Sequence, residues 1–102
     1  MPQVVTVFRS RLRDEHDGYE AKAAEMEAAA RAMPGFVDFK SFAADDGERV
    51  SLIVFDSPEA HAAWRDDPRH RVAQRLGRSD WYAEYLIQIC ALVDEHRFTS
   101  PA

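Results

Sequence analysis

The side chains best suited to acid–base chemistry and to stacking on a flat group lie in the second half of the chain. His70 is the leading acid–base candidate, because histidine is the side chain whose ordinary pKa lies nearest to neutral pH. Trp64 could stack on a flat ligand, and the hydroxyl of Tyr82 or Tyr85 could hydrogen bond to a phenolic or carbonyl oxygen. Each residue also has a purely structural alternative: Trp64 in helix–sheet packing, His70 at the surface or as a helix cap, and the tyrosines in a core or an interface.

The other reactive residue types do not form a recognisable site. His61 and His70 are nine residues apart, and the sequence has no HxxxH motif or paired Cys/His spacing, so no metal is expected. It also lacks a Ser/His/Asp order, a Gly-rich phosphate loop and a dinucleotide fingerprint. The single cysteine, Cys90, excludes an intrachain disulfide and favours a reducing compartment; we expect it to be a small buried hydrophobe.

Composition restricts the class of protein and its partners. At 102 residues the chain allows one domain, and contents of 46% hydrophobic and 11% aromatic residues exclude disorder. The net charge of −5 argues against a nucleic-acid partner. With no signal-peptide pattern and no apolar run of membrane length, we expect no membrane partner and a cytoplasmic location. Residues 65–78 differ, since five Arg against two Asp give a local charge of +3 that would suit an anionic ligand.

Hydrophobic periodicity and turn residues predict one domain over residues 1–102, with its core at about 3–93 and a loose tail from 94. We expect a helix N-cap among residues 14–17, and helix ends at Pro34-Gly35 and at Gly77. The predicted strands are 4–12, 36–43, 49–55 and 81–93, and the predicted helices are 18–33, 58–66 and 68–76. The order β-α-β-β-α-β is typical of the α+β ferredoxin-like fold, an antiparallel sheet with helices on one face.

The last predicted strand is apolar on both faces. Strict alternation places Tyr85 on one of its faces and Tyr82 on the other. A sheet face exposed to water should alternate with polar residues, so the second face requires a partner, and a homodimer is the simplest one. On the first strand, Arg9 shares a face with Val5 and Val7, and we expect it to pair with a carboxylate.

Several segments together resemble the antibiotic biosynthesis monooxygenase (ABM) family over about residues 3–93. They are residues 64–78, Trp81-Tyr82 with Tyr85-x-Ile-Gln-Ile-Cys90, and the turn Met33-Pro34-Gly35-Phe36. The resemblance implies a dimeric α+β barrel, in which two ferredoxin-like sheets pack face to face and each protomer holds a ligand pocket between its sheet and helices. The family includes cofactor-free oxygenases of polycyclic phenols and quinols as well as haem-degrading enzymes, so the fold alone does not define the reaction.

The functional residues of these two branches carry over only in part. Haem-degrading members have a Trp that Trp64 matches. Their haem-ligating His lies about ten residues later, where this sequence has Gln74, and their first strand carries an Asn, which the first strand of this sequence lacks. Cofactor-free oxygenases of aromatic polyketides pair an Asn four residues before the Trp with a Tyr about six after it. Here those positions hold Ala60 and His70.

The leading hypothesis is a homodimeric monooxygenase that needs no cofactor and acts on a small flat aromatic such as a quinol or polyphenol. Trp64 would stack on the substrate, and His70, helped by Tyr82, would remove the phenolic proton before reaction with O2. The expected substrate-binding residues are Tyr85, Gln74, Arg78 and Arg9. The alternatives are a non-catalytic small-ligand binder on the same scaffold and a haem-binding or haem-degrading protein that uses His70.

Overall fold

A four-stranded antiparallel sheet with helices on one face accounts for most of the structure, a computed structural model that describes residues 2–101. The strand order is β2-β3-β1-β4, which places β1 between β3 and β4. This is the predicted α+β ferredoxin-like fold. In chain order the elements are β1 (Val4–Leu12), α1 (Tyr19–Arg31), β2 (Phe36–Ala43), β3 (Arg49–Phe55), α2 (Pro58–Arg65), α3 (Pro68–Leu76), a π-helical turn (Gly77–Trp81) and β4 (Tyr82–Ala91).

Strand pairing divides the sheet into two faces. Val4 lies opposite Phe55 of β3 and Ala91 of β4, and all three side chains point toward the helices; we call this side the helix face. The adjacent residues Val5 and Val7 point to the opposite side, which we call the outer face. Any residue can therefore be assigned to a face from its register.

The core lies between the helix face and the helices. Phe55 is 0% exposed and packs with Trp64 against Met26, Ala29 and Ala30 of α1. The alanines let α1 approach the sheet closely, so two aromatic side chains can fill the layer. Met33, Phe36, Phe39, Ile53, Ala60 and Ala73 are partly buried around this cluster.

The helix starts and stops are partly as predicted. The side chain of Ser57 accepts a hydrogen bond from Ala60 N at 3.1 Å, and Asp67 caps α3 in the same way. The N-cap of α1, however, is Gly18 with φ 83°, and it makes no side-chain cap hydrogen bond, so the expected cap within residues 14–17 is wrong. A glycine with left-handed backbone angles lets the chain change direction at the start of a helix without a capping side chain.

The junction between α3 and β4 differs from the prediction. Gly77 has right-handed helical angles, with φ −56°, and the chain continues in the π-helical turn as far as Trp81. Trp81 is therefore not part of the strand, and the pairing of β1 with β4 shifts between Arg11 and Leu12. This irregularity interrupts the alternation, so Tyr82 and Tyr85 do not point to opposite faces; their rings lie 5.9 Å apart.

The outer face carries apolar residues that no helix covers. Phe42 and Leu86 are each 48% exposed there, beside half-buried valines and leucine of the two central strands. Cys90 pairs with Val5 on this face and is exposed in the chain, so its predicted burial is wrong. Within residues 2–101 no helix has the length and apolar character needed to cross a membrane.

Candidate functional site

A stacked pair of aromatic rings forms where α2 meets α3. The Trp64 indole and the His70 imidazole lie 4.2 Å apart with an interplanar angle of 10°. The bend that brings them together follows from Pro68, which has no N–H to donate to the Trp64 carbonyl four residues earlier. That carbonyl instead accepts from Asp67 N at 3.2 Å and contacts His70 Nδ1 at 3.1 Å.

The Trp64 carbonyl determines the tautomer of His70. A carbonyl oxygen can only accept, so this shorter contact assigns the proton to His70 Nδ1 and the lone pair to Nε2. Gln74 Nε2, which is also a donor, then makes no hydrogen bond to Nδ1. Gln74 lies beside the ring, with its side-chain nitrogen 3.4 Å from Nδ1, and donates to Arg65 O at 3.3 Å. The amide of Gln74 thus joins α3 to the end of α2, and the imidazole presents a basic nitrogen.

The surroundings of His70 also favour its neutral form. Burial lowers the pKa of His70 below its ordinary value of 6.5, and the nearby His61 lowers it further. The Trp64 carbonyl and the Asp67 carboxylate act in the opposite direction but do not outweigh burial. At neutral pH His70 is therefore an uncharged base.

Trp64 has little surface left for a ligand. Only 6% of the residue is exposed, and the imidazole of His70 covers one face of its ring. The stacking of a substrate on Trp64, expected from the sequence, would have to displace His70 from this face. In the described geometry Trp64 instead holds His70 in place.

A second group of aromatic side chains lies at the end of the sheet where β4 begins, and we call it the aromatic cluster. Tyr82 is at its centre, with ring centroids 5.4 Å from Phe8, 5.8 Å from Tyr19 and 5.9 Å from Tyr85. Trp81 packs on Tyr19 at 5.7 Å, and its indole N–H donates to Asp17 O at 3.0 Å. Tyr85 is 40% exposed, so the cluster reaches the surface there.

Tyr82 remains a phenol at neutral pH. Burial raises its pKa well above the ordinary value of 10.0, and the neighbouring Tyr19 raises it further. The positive charge of Arg49 opposes this shift only in part. Tyr82 can therefore donate a hydrogen bond but cannot serve as a base, which leaves His70 as the base candidate of this region.

Helix α3 connects the two groups. His70, Gln74 and Gly77 recur at i, i+4 and i+7, so they lie on one side of the helix, and its rise separates His70 from Gly77 by about 10 Å. Gly77 lies against the Tyr82 ring, where a Cβ would come within 2.7 Å of Cε2. The stacked pair and the aromatic cluster thus border one side of the same helix.

Part of the helix face beside these groups is open. The helices pack on β2 and β3, whereas Ile87 and Ile89 of β4 are 48% and 53% exposed on the helix face. With Tyr85 they form an apolar surface next to the aromatic cluster, which we call the β4 shelf. A flat apolar ligand could lie on this surface.

The arginines expected to bind substrate are placed differently. Arg9 is on the outer face, where its guanidinium donates to both carboxylate oxygens of Glu48 at 2.8 and 3.1 Å, so its expected carboxylate partner is confirmed. Arg78 lies in the π-helical turn and forms no ion pair within residues 2–101. The local charge excess is partly neutralised by Asp66, which pairs with Arg65 and Arg71, and by Asp67, which pairs with Arg69.

Arg13 was not singled out from the sequence, yet it organises the π-helical turn. Its guanidinium donates to Ser79 O at 2.8 Å and to Tyr82 O at 3.2 Å, and its backbone N–H donates to Trp81 O at 2.7 Å. These bonds hold the start of β4 against the end of β1. The one signal in the sequence is the alternation of Arg9, Arg11 and Arg13, whose last member falls just beyond the strand.

Gln74 does not fit the role of a haem ligand. It stands where the resemblance places the iron ligand of haem-degrading proteins, its amide is a poor ligand for iron, and it is already bonded to Arg65 O. His70, the other candidate, directs Nδ1 to a carbonyl and keeps the lone pair of Nε2, which is the arrangement of a metal-ligating histidine. Within residues 2–101 no group of three or more His, Cys, Asp or Glu is arranged to hold a metal ion.

The fold and this site define a ferredoxin-like α+β protein that carries a neutral histidine and a separate aromatic cluster along one helix. The family model described as antibiotic biosynthesis monooxygenase matches residues 3–76. An uncharacterised Bacillus subtilis (strain 168) protein, YqjZ, is 34% identical over 97 residues, covering 94% of this chain and 84% of that protein. The chain belongs to the antibiotic biosynthesis monooxygenase family.

Solved structures share the fold at low sequence identity. Rv0793 from Mycobacterium tuberculosis has a TM-score of 0.81 with 21% identity, covering 93% of this chain and 99% of that one. SnoaB from Streptomyces nogalater, described as a cofactor-independent oxygenase, has a TM-score of 0.74 with 18% identity over 100% of both chains. A putative antibiotic biosynthesis monooxygenase from Nitrosomonas europaea has a TM-score of 0.76 with 15% identity, covering 89% and 90% of the two chains.

The contact between Gly77 and Tyr82 predicts that Gly77→Ala lowers the stability of the protein when the Tyr82 ring is present and raises it when the ring is removed. Gly77→Ala should destabilise the protein by about 1–3 kcal/mol, because the new methyl overlaps the Tyr82 ring. In a Tyr82→Ala background the same change should stabilise by about 0.5–1 kcal/mol, because position 77 has ordinary helical angles. Urea denaturation of the four proteins measures both values; equal costs in the two backgrounds would show that the contact is absent.

The burial of His70 predicts an acid-sensitive fold. An NMR titration of the imidazole, assigned with His70→Gln, should give a pKa below 6.5. Since the folded pKa is lower than that of the unfolded chain, protonation favours unfolding. The contribution of His70 to stability is complete above about pH 6.5 and is lost as the pH falls through the lowered pKa. A pKa at or above 6.5 would contradict the burial described here.

Proposed function

We propose that the protein is a cofactor-independent monooxygenase of a small, flat, electron-rich aromatic substrate such as a quinol or polyphenol. The observation that carries the proposal is the imidazole of His70, which burial keeps neutral and the Trp64 carbonyl holds as the Nδ1–H tautomer. Membership of the antibiotic biosynthesis monooxygenase family supports the reaction class. The fold shared with SnoaB, described as a cofactor-independent oxygenase, is consistent with it.

In this proposal the substrate supplies the electrons. His70 Nε2 takes a phenolic proton, and the resulting phenolate transfers one electron to O2, which gives a substrate radical and superoxide. Recombination forms a C–O bond at a ring carbon, and the proton held by His70 protonates the resulting peroxide. The C–H proton of that carbon is then released as the O–O bond breaks, and it combines with the departing hydroxide. One oxygen atom stays on the ring and the other leaves as water, so that a quinol and O2 give a hydroxyquinone and water.

The surrounding residues take separate roles. Trp64 positions His70 by stacking, and Gln74 fixes the α2–α3 junction. Tyr82, kept protonated, would donate a hydrogen bond to a carbonyl or phenolate oxygen. Tyr85 would contact the flat ring on the β4 shelf, where 40% of this residue is exposed. Arg78 is proposed as a substrate-binding residue, as expected from the sequence, whereas Arg9 forms an ion pair with Glu48 on the outer face.

We also propose that two copies associate through their outer faces. The two central strands carry five aliphatic side chains on this face: Val5, Val7, Val50, Leu52 and Val54. An apolar sheet face of this kind is normally covered by protein. Symmetric packing of two such sheets would cover it, together with Cys90, and would give the dimeric α+β barrel.

A charged side chain introduced into the apolar outer face tests the dimer. Val7→Lys, at the centre of the outer face, should convert the protein to a monomer, because each interface would bury two uncompensated ammonium groups. Val72→Lys is the matched control, since Val72 is 40% exposed on α3. Light scattering after gel filtration gives the mass; a monomeric wild type, or a dimer that Val7→Lys leaves intact, would refute the proposal.

Aerobic O2 uptake with a panel of hydroquinones, corrected for their spontaneous oxidation, tests the activity. His70→Gln should lower the rate by about 100-fold or more, since it removes the base while retaining a polar side chain. The rate of the wild type should fall as the pH drops below the lowered pKa of His70. His96→Gln, in the C-terminal segment outside the sheet and helices, is the control and should match the wild type. Absent uptake, or uptake unchanged in His70→Gln, would reject the proposal.

A non-catalytic ligand binder is the second candidate. It is favoured by the half-exposed apolar residues Ile87 and Ile89 of the β4 shelf, which could hold a ligand without reacting with it, and by Ala60 at the position where the polyketide oxygenases have an Asn. Saturable binding of a hydroquinone under argon, combined with no O2 uptake in air, would select this function. Uptake that depends on His70 would exclude it.

A further inference from the structure

A shallow, open depression of about 580 Å³ lies at the end of the sheet that holds the aromatic cluster. It is bounded by the β2–β3 hairpin on one side and by the segment that joins β1 to α1 on the other. We call it the hairpin cavity. Three arginines line it, Arg11, Arg13 and Arg49, and each has a different set of partners.

Two of these arginines are already committed within the protein. Arg11 donates to the Asp46 carboxylate at 2.7 Å and also lies 3.3 Å from Glu84. Arg13 uses its guanidinium on backbone carbonyl groups of the π-helical turn and β4. Neither can bind a ligand bidentately without losing these bonds.

Arg49 is different. Within residues 2–101 its side chain forms no hydrogen bond and no ion pair. Its guanidinium carbon lies 5.8 Å from the centroid of the Tyr19 ring, and its charge also acts on Tyr82. A guanidinium over an aromatic face keeps its N–H donors available at its edge. Arg49 is therefore a cation without an ion-pair partner in the described part of the chain.

The position of Arg49 relates it to the candidate site. It pairs with Ser10 and Ala43 on the helix face, the face that carries Phe8 and Tyr85. The ring of Tyr19 beneath it also contacts Tyr82 at 5.8 Å. Arg49 and Tyr85 both lie opposite Ser10, so the cation and the near end of the β4 shelf share one row of the sheet, with β1 between them.

No described carboxylate of the hairpin cavity forms an ion pair with Arg49. Asp46 is paired with Arg11, and Glu20 lies 3.2 Å from His16 Nε2, which is an ion pair only when the imidazole is protonated. Asp14 also lines the cavity but forms no ion pair with Arg49. An anionic group of a ligand would therefore meet an available guanidinium there.

We infer that the hairpin cavity receives a carboxylate or ionised phenol of the aromatic ligand and that Arg49 is its counter-ion. The inference rests on the proposed aromatic-ligand site and narrows its substrate class to aromatics with an anionic substituent. Arg49 would determine specificity, because a planar guanidinium binds a carboxylate through two parallel hydrogen bonds.

Two probes of nearly equal shape test the inference without turnover. Naphthalene-2-carboxylate should bind the wild type at least about tenfold more tightly than naphthalene-2-carboxamide, as expected for a charge-assisted contact. In Arg49→Gln the ratio of the two Kd values should fall to about one, with the carboxamide Kd unchanged. Arg49→Lys should keep a preference for the carboxylate, because the positive charge remains. Calorimetry measures the affinities, and circular dichroism confirms that each variant folds.

Arg75→Gln, the same charge change at an exposed position on α3, should keep the full preference and serves as the matched control. A ratio near one in the wild type, a ratio that Arg49→Gln leaves unchanged, or failure of both probes to bind would overturn the inference. These outcomes are separate from the oxygenase test: a carboxylate preference lost in Arg49→Gln supports the anion site even if no hydroquinone consumes O2. Conversely, O2 uptake without this preference would support the oxygenase and refute the anion site.

Discussion

The missing N–H of Pro68 is the constraint on which the candidate site depends. In an uninterrupted helix the Trp64 carbonyl would accept from residue 68, but proline cannot donate, so the helix bends and this carbonyl is left for other donors. The Nδ1–H of His70 is one of them. The same bend lays the imidazole on the Trp64 indole, which is itself fixed in the core against Phe55. A backbone effect spanning four residues thus sets the orientation, tautomer and burial of the proposed base.

At the other end of α3, the π-helical turn and Arg13 position Tyr82. The π-helical turn continues the helix past Gly77, and Arg13 binds the carbonyl groups that the turn exposes. Gly77 is required there by close approach rather than by its backbone angles, since any Cβ would overlap the Tyr82 ring. The result is a protonated phenol within the aromatic cluster, about 10 Å along the helix from the neutral base. The two groups have clearly different proton affinities, as an acid–base site requires.

The two faces of the sheet serve different purposes. On the outer face Arg9 and Arg11 form ion pairs with Glu48 and Asp46, which tie the β2–β3 hairpin across β1 and leave the aliphatic centre available for a second sheet. On the helix face the helices cover only part of the sheet, and the β4 shelf beside the aromatic cluster stays accessible. Charge is therefore neutralised where we propose association, whereas Arg49, on the helix face, retains its charge for a ligand.

Local sequence patterns by themselves determined the element order, the bounds of three of the four strands, and the starts of α2 and α3. The reason is that proline, Ser57 and Asp67 act within a few residues, and that β-branched alternation is read directly along a strand. They also singled out His70 and Trp64 as site candidates, each for a separate role. Only the tertiary structure decided that Tyr82 joins Tyr85, that His70 covers Trp64, and that Arg49 finds no ion-pair partner between residues 2 and 101. These features depend on contacts between residues far apart in the chain, such as Arg13 with Ser79 and Tyr82, which carry no periodic or spacing signal in one sequence.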